Sequence, residues 1–204
     1  MKHIFRKGSD ASRPTLLLLH GTGGNEFDLL SLAEKIDPQA SVLGVRGNVL
    51  ENGMPRFFRR LAEGVFDEED LISRTKELNE FLDDAARQYD FDREHILAIG
   101  YSNGANIAAS LLFHYDKALA GAILHHPMVP RRNMDLSHLD STPVFITAGT
   151  NDPICPVSET TELNGLLDQA GADVQLHWEN RGHQLTAEEV DAAANWYQIN
   201  FGKE

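Results

Sequence analysis

Ile99-Gly100-Tyr101-Ser102-Asn103-Gly104-Ala105 sets a serine between two glycines, directly after an apolar run and directly before a stretch of helical period. A sharp strand-to-helix turn that holds a serine out for attack needs this arrangement. A bulkier side chain at 100 or 104 would collide with neighbouring backbone where the chain reverses. The pattern G-x-S-x-G therefore gains its meaning from its surroundings, strand before and helix after, and Ser102 is the candidate nucleophile.

Outward from that turn, apolar runs of strand length alternate with helix-period stretches. Ile96–Gly100 joins Thr15–Leu19, Ser41–Val45, Gly121–Leu124, Val144–Ala148 and Val174–Trp178 as predicted strands, with His3–Arg6 as a candidate edge strand. Continuous apolar runs suit strands covered on both faces, so the expected class is α/β with a mostly parallel sheet. Predicted helices cover Asp67 to about Tyr89, Asn103–Tyr115, Ser158–Gln169 and Thr186 to about Asn200. The first gathers Leu71, Leu78, Phe81, Leu82 and Ala85 on one face, and the last opens with a capping box between Thr186 and Glu189. Glu51–Phe66 has no clean period and carries Asn52, Gly53 and Pro55 as turn formers. Its phenylalanines argue against disorder, and the segment is expected to form a pocket wall. Taken singly, Phe57, Phe58 and Phe66 each read as core packing.

The 204 residues fit a single domain, 1–204, with no internal repeat or low-complexity linker. A net charge of −13 makes nucleic acid and membrane surfaces poor partners. Arg56/Arg59/Arg60 and Arg131/Arg132 read as countercharges to the acidic surface, with a small anion site as the alternative. One cysteine, Cys155, excludes an internal disulfide. The start "MKHIFRKGSD" has no apolar signal region and no segment has the length of a membrane span, so a cytoplasmic location is expected.

A serine hydroxyl needs a base, and the base needs an orienting acid. After Ser102, the strand "VFITA" leads into Gly149-Thr150-Asn151-Asp152, and "VQLHW" leads into Arg181-Gly182-His183. Asp152 and His183 thus leave the sheet at the edge where Ser102 stands, in the chain order Ser, Asp, His. Asp135 and Asp140 precede their strand and belong at the opposite end. His177 lies within a strand and reads as structural. His125 and His126 follow "GAIL" and could reach the rim of the site. Adjacent residues point in different directions, however, and nothing nearby completes a metal set, so neither metal nor organic cofactor is expected. Cys155 reads as a small buried residue. The loop "HGTGGNE" (20–26) frees its backbone to place the Thr22 amide beside the Asn103 amide as oxyanion donors. As a dinucleotide fingerprint the loop fails at Glu26, which would repel a pyrophosphate.

The stretches "LLLHGTGGNE", "IGYSNGAN", "GTNDPICP" and "NRGHQLT" resemble, in order and over nearly the whole chain, the phospholipase/carboxylesterase family of small α/β-hydrolases. The runs "SVLGVRGNV", "ENGMPRFFRR" and "LHHPMVPRR" look like a bacterial branch linked to the response to hydroquinones and quinone-type electrophiles. The resemblance implies an α/β-hydrolase fold with no separate cap domain. It implies hydrolysis of carboxylic or thioester bonds by Ser102, Asp152 and His183, with Thr22 and Asn103 as oxyanion donors and Ile154 on the acyl side. It also implies a small-molecule ester as partner and a homodimer as the common assembly. Phe58 and Met128 are expected to complete a modest apolar pocket for short-acyl or aromatic esters. "HHPMVP" and Pro-Ile-Cys after Asp152 depart from the eukaryotic-type members, so their lipid substrates are not carried over. Two alternatives stand beside this reading. One is a dienelactone or C–C-bond hydrolase acting on aromatic ring-fission products; the other is a binding or sensor module on the same fold.

Overall fold

Successive residues of each apolar run leave opposite faces of one sheet. Leu17 and Leu19 enter one core, Leu16 and Leu18 the other, and all four are buried. This alternation is why the runs carry no polar face. A computed structural model describes residues 1–202. Its elements, in chain order, are β1 (His3–Arg6), β2 (Thr15–Leu19), α1 (Leu30–Ile36), β3 (Val42–Val45), β4 (Val49–Glu51), β5 (Met54–Arg56), β6 (Arg60–Ala62), β7 (Val65–Phe66) and α2 (Glu68–Tyr89). They continue with β8 (Ile96–Tyr101), α3 (Asn103–His114), β9 (Gly121–His125), β10 (Pro143–Gly149), α4 (Val157–Gln169), β11 (Asp173–Glu179) and α5 (Ala187–Phe201).

Seven strands form the main sheet in the order β1-β3-β2-β8-β9-β10-β11. Only the edge strand β1 runs antiparallel to its neighbour. Helices α2, α3 and α4 bury their apolar faces on one side of the sheet, while α1 and α5 cover the other. The fold is thus the expected α/β class with a mostly parallel sheet. Each fully buried leucine in these two cores contributes about 2 kcal/mol. The predicted capping box opens α5: Thr186 Oγ1 accepts from the Glu189 amide at 3.1 Å, and Glu189 Oε2 accepts from the Thr186 amide at 2.8 Å.

Two regions differ from the sequence expectations. Helix α1 has only seven residues, and its N-cap, Leu29, makes no side-chain cap, so no start signal marks it. The segment 49–66 is built from two short antiparallel hairpins, β4-β5 and β6-β7, each strand too short to show an alternation. The basic clusters are mostly countercharges: Arg59 pairs with Asp67, Arg131 with Glu68, and Arg132 with Glu159 and Glu162.

Because β2, β8, β9, β10 and β11 run parallel, their C-terminal ends open on the same edge. The register sets Leu19 beside Gly100 and Gly100 beside Leu124. Every segment that follows these strands therefore starts from one rim.

Candidate active site

The turn after β8 is tight for a reason visible in its neighbours. A Cβ on Gly104 would lie 1.9 Å from the Leu19 carbonyl oxygen, and one on Gly100 would lie 2.6 Å from the Ala105 backbone. Between them Ser102 takes φ 51°, a left-handed conformation costly for a non-glycine residue and frequent where side chains are held out for chemistry. Its amide donates to the His125 carbonyl at 2.9 Å.

Ser102 Oγ lies 2.9 Å from His183 Nε2, and His183 Nδ1 lies 2.6 Å from Asp152 Oδ2. These partners fix the tautomer: Nδ1–H donates to the carboxylate and Nε2 accepts from the serine hydroxyl. Asp152 Oδ1 accepts two further bonds, from the Ile154 amide at 2.8 Å and the Cys155 amide at 2.9 Å. Burial works to raise the Asp152 pKa, but the Cys155 amide, His183 and the Ile154 amide outweigh it and hold the carboxyl below its ordinary value. The Tyr101 hydroxyl donates to the His183 carbonyl at 2.6 Å and pins the loop that carries the imidazole.

Thr22 and Asn103 border the same cavity as Ser102 and His183. Neither backbone amide donates to an acceptor among the described residues, so both are free to meet an oxygen in the cavity. Side chains lock this rim. Asn103 Oδ1 accepts from the Phe57 amide at 2.7 Å, and Asn106 Oδ1 accepts from the Met128 amide at 2.7 Å. The buried Arg56 donates from Nη1 to Thr22 Oγ1 at 2.7 Å, tying the β2–α1 loop to the second wall.

The cavity holds about 240 Å³. Met128 and Ile154 line it; Phe58 does not. Phe58 is fully buried under the wall and meets Phe66 edge to face at 5.0 Å, so Phe66 reaches the cavity in its place. Phe57 is buried too, against His20. Arg56 and Arg60 also border the cavity and share Glu51 as counterion, with Glu63 nearby. Glu26 does not face the glycine loop: it is buried and paired with Arg46 and Lys2. Cys155 is buried, and burial pushes its thiol up to about 12, leaving it inert as a nucleophile.

The histidine pair diverges. His125 Nδ1 meets Thr147 Oγ1 at 2.8 Å inside the sheet, where burial pushes its pKa down to about 4. His126 turns to Asp152, with Nδ1 3.2 Å from Oδ2. The sequence offered this pair no further donors nearby. The fold supplies them, gathering His126, Asp152 and His183 with their donor atoms within 4.8 Å, all engaged in the hydrogen bonds just described. His126 was legible only as a rim candidate; its approach to Asp152 depends on a contact between distant segments.

Residues 3–201 match the model of the phospholipase/carboxylesterase family. The chain is 59% identical over 198 residues to "Putative hydrolase MhqD" of Bacillus subtilis (strain 168), covering 97% of this chain and 98% of that protein. Among solved structures, a Bacillus cereus carboxylesterase is 72% identical with a TM-score of 0.98, covering 98% of this chain and 95% of that one. YahD, solved with malic acid, is 34% identical with a TM-score of 0.93 over 98% of both chains. Among the described residues no helix is long and apolar enough to cross a membrane. Identity this high over nearly the full length of both chains settles more than the fold: the chain belongs to the phospholipase/carboxylesterase family and is a hydrolase of the carboxylesterase type.

Proposed function

We propose that this hydrolase cleaves carboxylic or thioester bonds of small, short-acyl or aromatic substrates through an acyl-enzyme on Ser102. The observation that carries the reading is the unbroken line from Ser102 Oγ through His183 to Asp152, opening on a cavity bordered by two uncommitted amides. His183 takes the Ser102 proton as the hydroxyl oxygen attacks the carbonyl carbon. Asp152 holds the imidazole tautomer and stabilises the imidazolium. The amides of Thr22 and Asn103 receive the oxyanion of the tetrahedral intermediate. His183 then returns the proton to the leaving oxygen or sulfur, and a water repeats the sequence to free the acid. A cavity of about 240 Å³, walled by Phe66, Met128 and Ile154, suits a short or flat acyl group better than a long extended chain.

A p-nitrophenyl ester series from acetate to palmitate, with Ser102→Ala alongside, tests the reading. Activity is expected to peak at a short chain, and loss of the serine should cost about 10⁴–10⁶ in kcat. Equal rates for short and C12–C16 esters would contradict the pocket assignment, and a serine variant as active as the parent would contradict the nucleophile.

One observation favours a second reading, hydrolysis of lactones or C–C bonds in aromatic ring-fission products. Such products carry carboxylates, and two arginines, Arg56 and Arg60, border this cavity and share the carboxylate of Glu51. The malic acid solved with YahD is also a carboxylate compound. Rates on carboxylated lactones against neutral esters of similar size separate the two readings.

A further inference from the structure

The triad acid has a neighbour that the acyl-transfer chemistry does not use. His126 follows β9 and holds φ 52°, with its amide donating to the Thr147 carbonyl at 2.8 Å. This backbone aims the ring between two carboxylates. Nδ1 is 3.2 Å from Asp152 Oδ2, and Nε2 is 2.9 Å from Glu189 Oε1, an ion-pair distance off the line of an ideal hydrogen bond. All three side chains are fully buried. No lysine or arginine pairs with Asp152 or Glu189 among the described residues, so the histidines are the only cations available to them. Two buried carboxylates without compensation are costly. A ring with an acceptor at each nitrogen satisfies both only when both nitrogens carry hydrogen.

We propose that His126 is a positioning residue for the triad: clamped as a cation between Asp152 and Glu189, it fixes the Asp152 carboxylate behind His183 and sets a positive charge beside the ring of His183. With this bond Asp152 accepts four donors, two on each oxygen, and has no lone-pair direction left to rotate toward. The other titratable groups around the ring are few. His183 lies 5.1 Å away between ring centroids, on the loop after β11. Tyr101, at the end of β8, stands edge-on at 6.0 Å. His125, on β9, is neutral, and His177, on β11, lies beyond it and pairs with Glu179. Burial alone would lower the pKa of His126, but Glu189 and Asp152 outweigh it and raise the value. Burial alone would raise that of Glu189, and His126 with the Thr186 amide reverses it. Capture of Glu189 by the α5 capping box fixes the far end of the clamp.

A cation 5.1 Å from His183 opposes the imidazolium that forms during catalysis. His126→Gln keeps a donor toward Asp152 and removes the charge. Its kcat/KM profile on p-nitrophenyl acetate is expected to rise about one pH unit or more later than that of the parent, with activity regained at higher pH. A profile lowered evenly at every pH would mean a structural role only and would overturn the proposal.

The inference rests on the triad reading, so a second measurement avoids turnover. In Ser102→Ala protein with ¹⁵N-labelled histidine, one ring is expected to stay doubly protonated above the ordinary histidine range, and that signal should be absent from the same protein carrying His126→Gln. A neutral His126 ring at pH 7 would overturn the proposal even if esters are hydrolysed. A persistent imidazolium in a protein that hydrolyses no ester would leave the clamp standing and sink the esterase reading.

Discussion

Ser102 can occupy its left-handed turn only because both flanking positions lack a side chain. At 104 the nearest obstacle to a Cβ is backbone, the Leu19 carbonyl, and backbone cannot rotate away as a flexible side chain could. Gly104→Ala must push α3 off the end of β2, moving Ser102 relative to His183 and the Thr22 amide. The expected result is a fall of about 10²-fold in kcat/KM, with about 1–3 kcal/mol of destabilisation. Gly165→Ala in α4 is the control: a Cβ there meets nothing within 4 Å, and alanine at a helix interior should add about 0.5–1 kcal/mol with kinetics unchanged. Denaturant unfolding and steady-state rates on both variants check the pair. The glycine–serine–glycine constraint was readable from seven letters because it is local. The direction of a phenylalanine side chain is not local: Phe58 packs in the core, as it reads when taken singly, and not in the pocket wall, while Phe66, eight residues on, reaches the cavity.

Elements that announce themselves do so through one strong physical signal. β2, β8, β9 and β10 are runs buried on both faces, α2 carries an N-terminal acidic cap, with Asp67 accepting from the Asp70 amide, and α5 carries its capping box. The hairpins of 49–66 have no such signal. Their strands of two and three residues are held in place from outside, by Asn103 at the Phe57 amide and Asp70 at the Arg59 amide. Their turn residues and phenylalanines were enough to expect an ordered wall, and β7 delivers Phe66 to the cavity. Phe66→Ala should therefore enlarge the acyl space and move the optimum of the ester series to longer chains. An unchanged chain-length profile would remove Phe66 from the specificity wall.

Across the whole molecule, the strand ends on one edge bring four distant segments into a single buried charge system: the turn after β9, the loop after β10, the loop after β11 and the first turn of α5. That Ser102, Asp152 and His183 meet at one edge could be read from sequence because each follows a strand. The Glu189–His126 contact could not, since it joins residues 63 positions apart with no shared pattern. Its consequence for stability has a definite sign. Glu189 and Asp152 are held below their ordinary values when folded, so they contribute stability that is complete above the ordinary carboxylate range and lost as the pH falls through the folded values. His126 is raised when folded, so its contribution is complete below the ordinary histidine value and fades as the pH rises through the folded one. Melting temperature is expected to drop steeply below about pH 4.5 and more shallowly in Glu189→Gln, which retains the capping-box partner. Identical acid slopes in the two proteins would mean that Glu189 bears no charge in the folded state.

The claim on which the mechanism depends is that Ser102 is the nucleophile. Labelling with a fluorophosphonate, followed by peptide mass spectrometry, tests it without any assumption about the natural substrate. One equivalent of phosphonate is expected on Ser102, none in Ser102→Ala, and slow labelling in His183→Ala. A label on another residue, or a native, folded protein that takes up none, would contradict it.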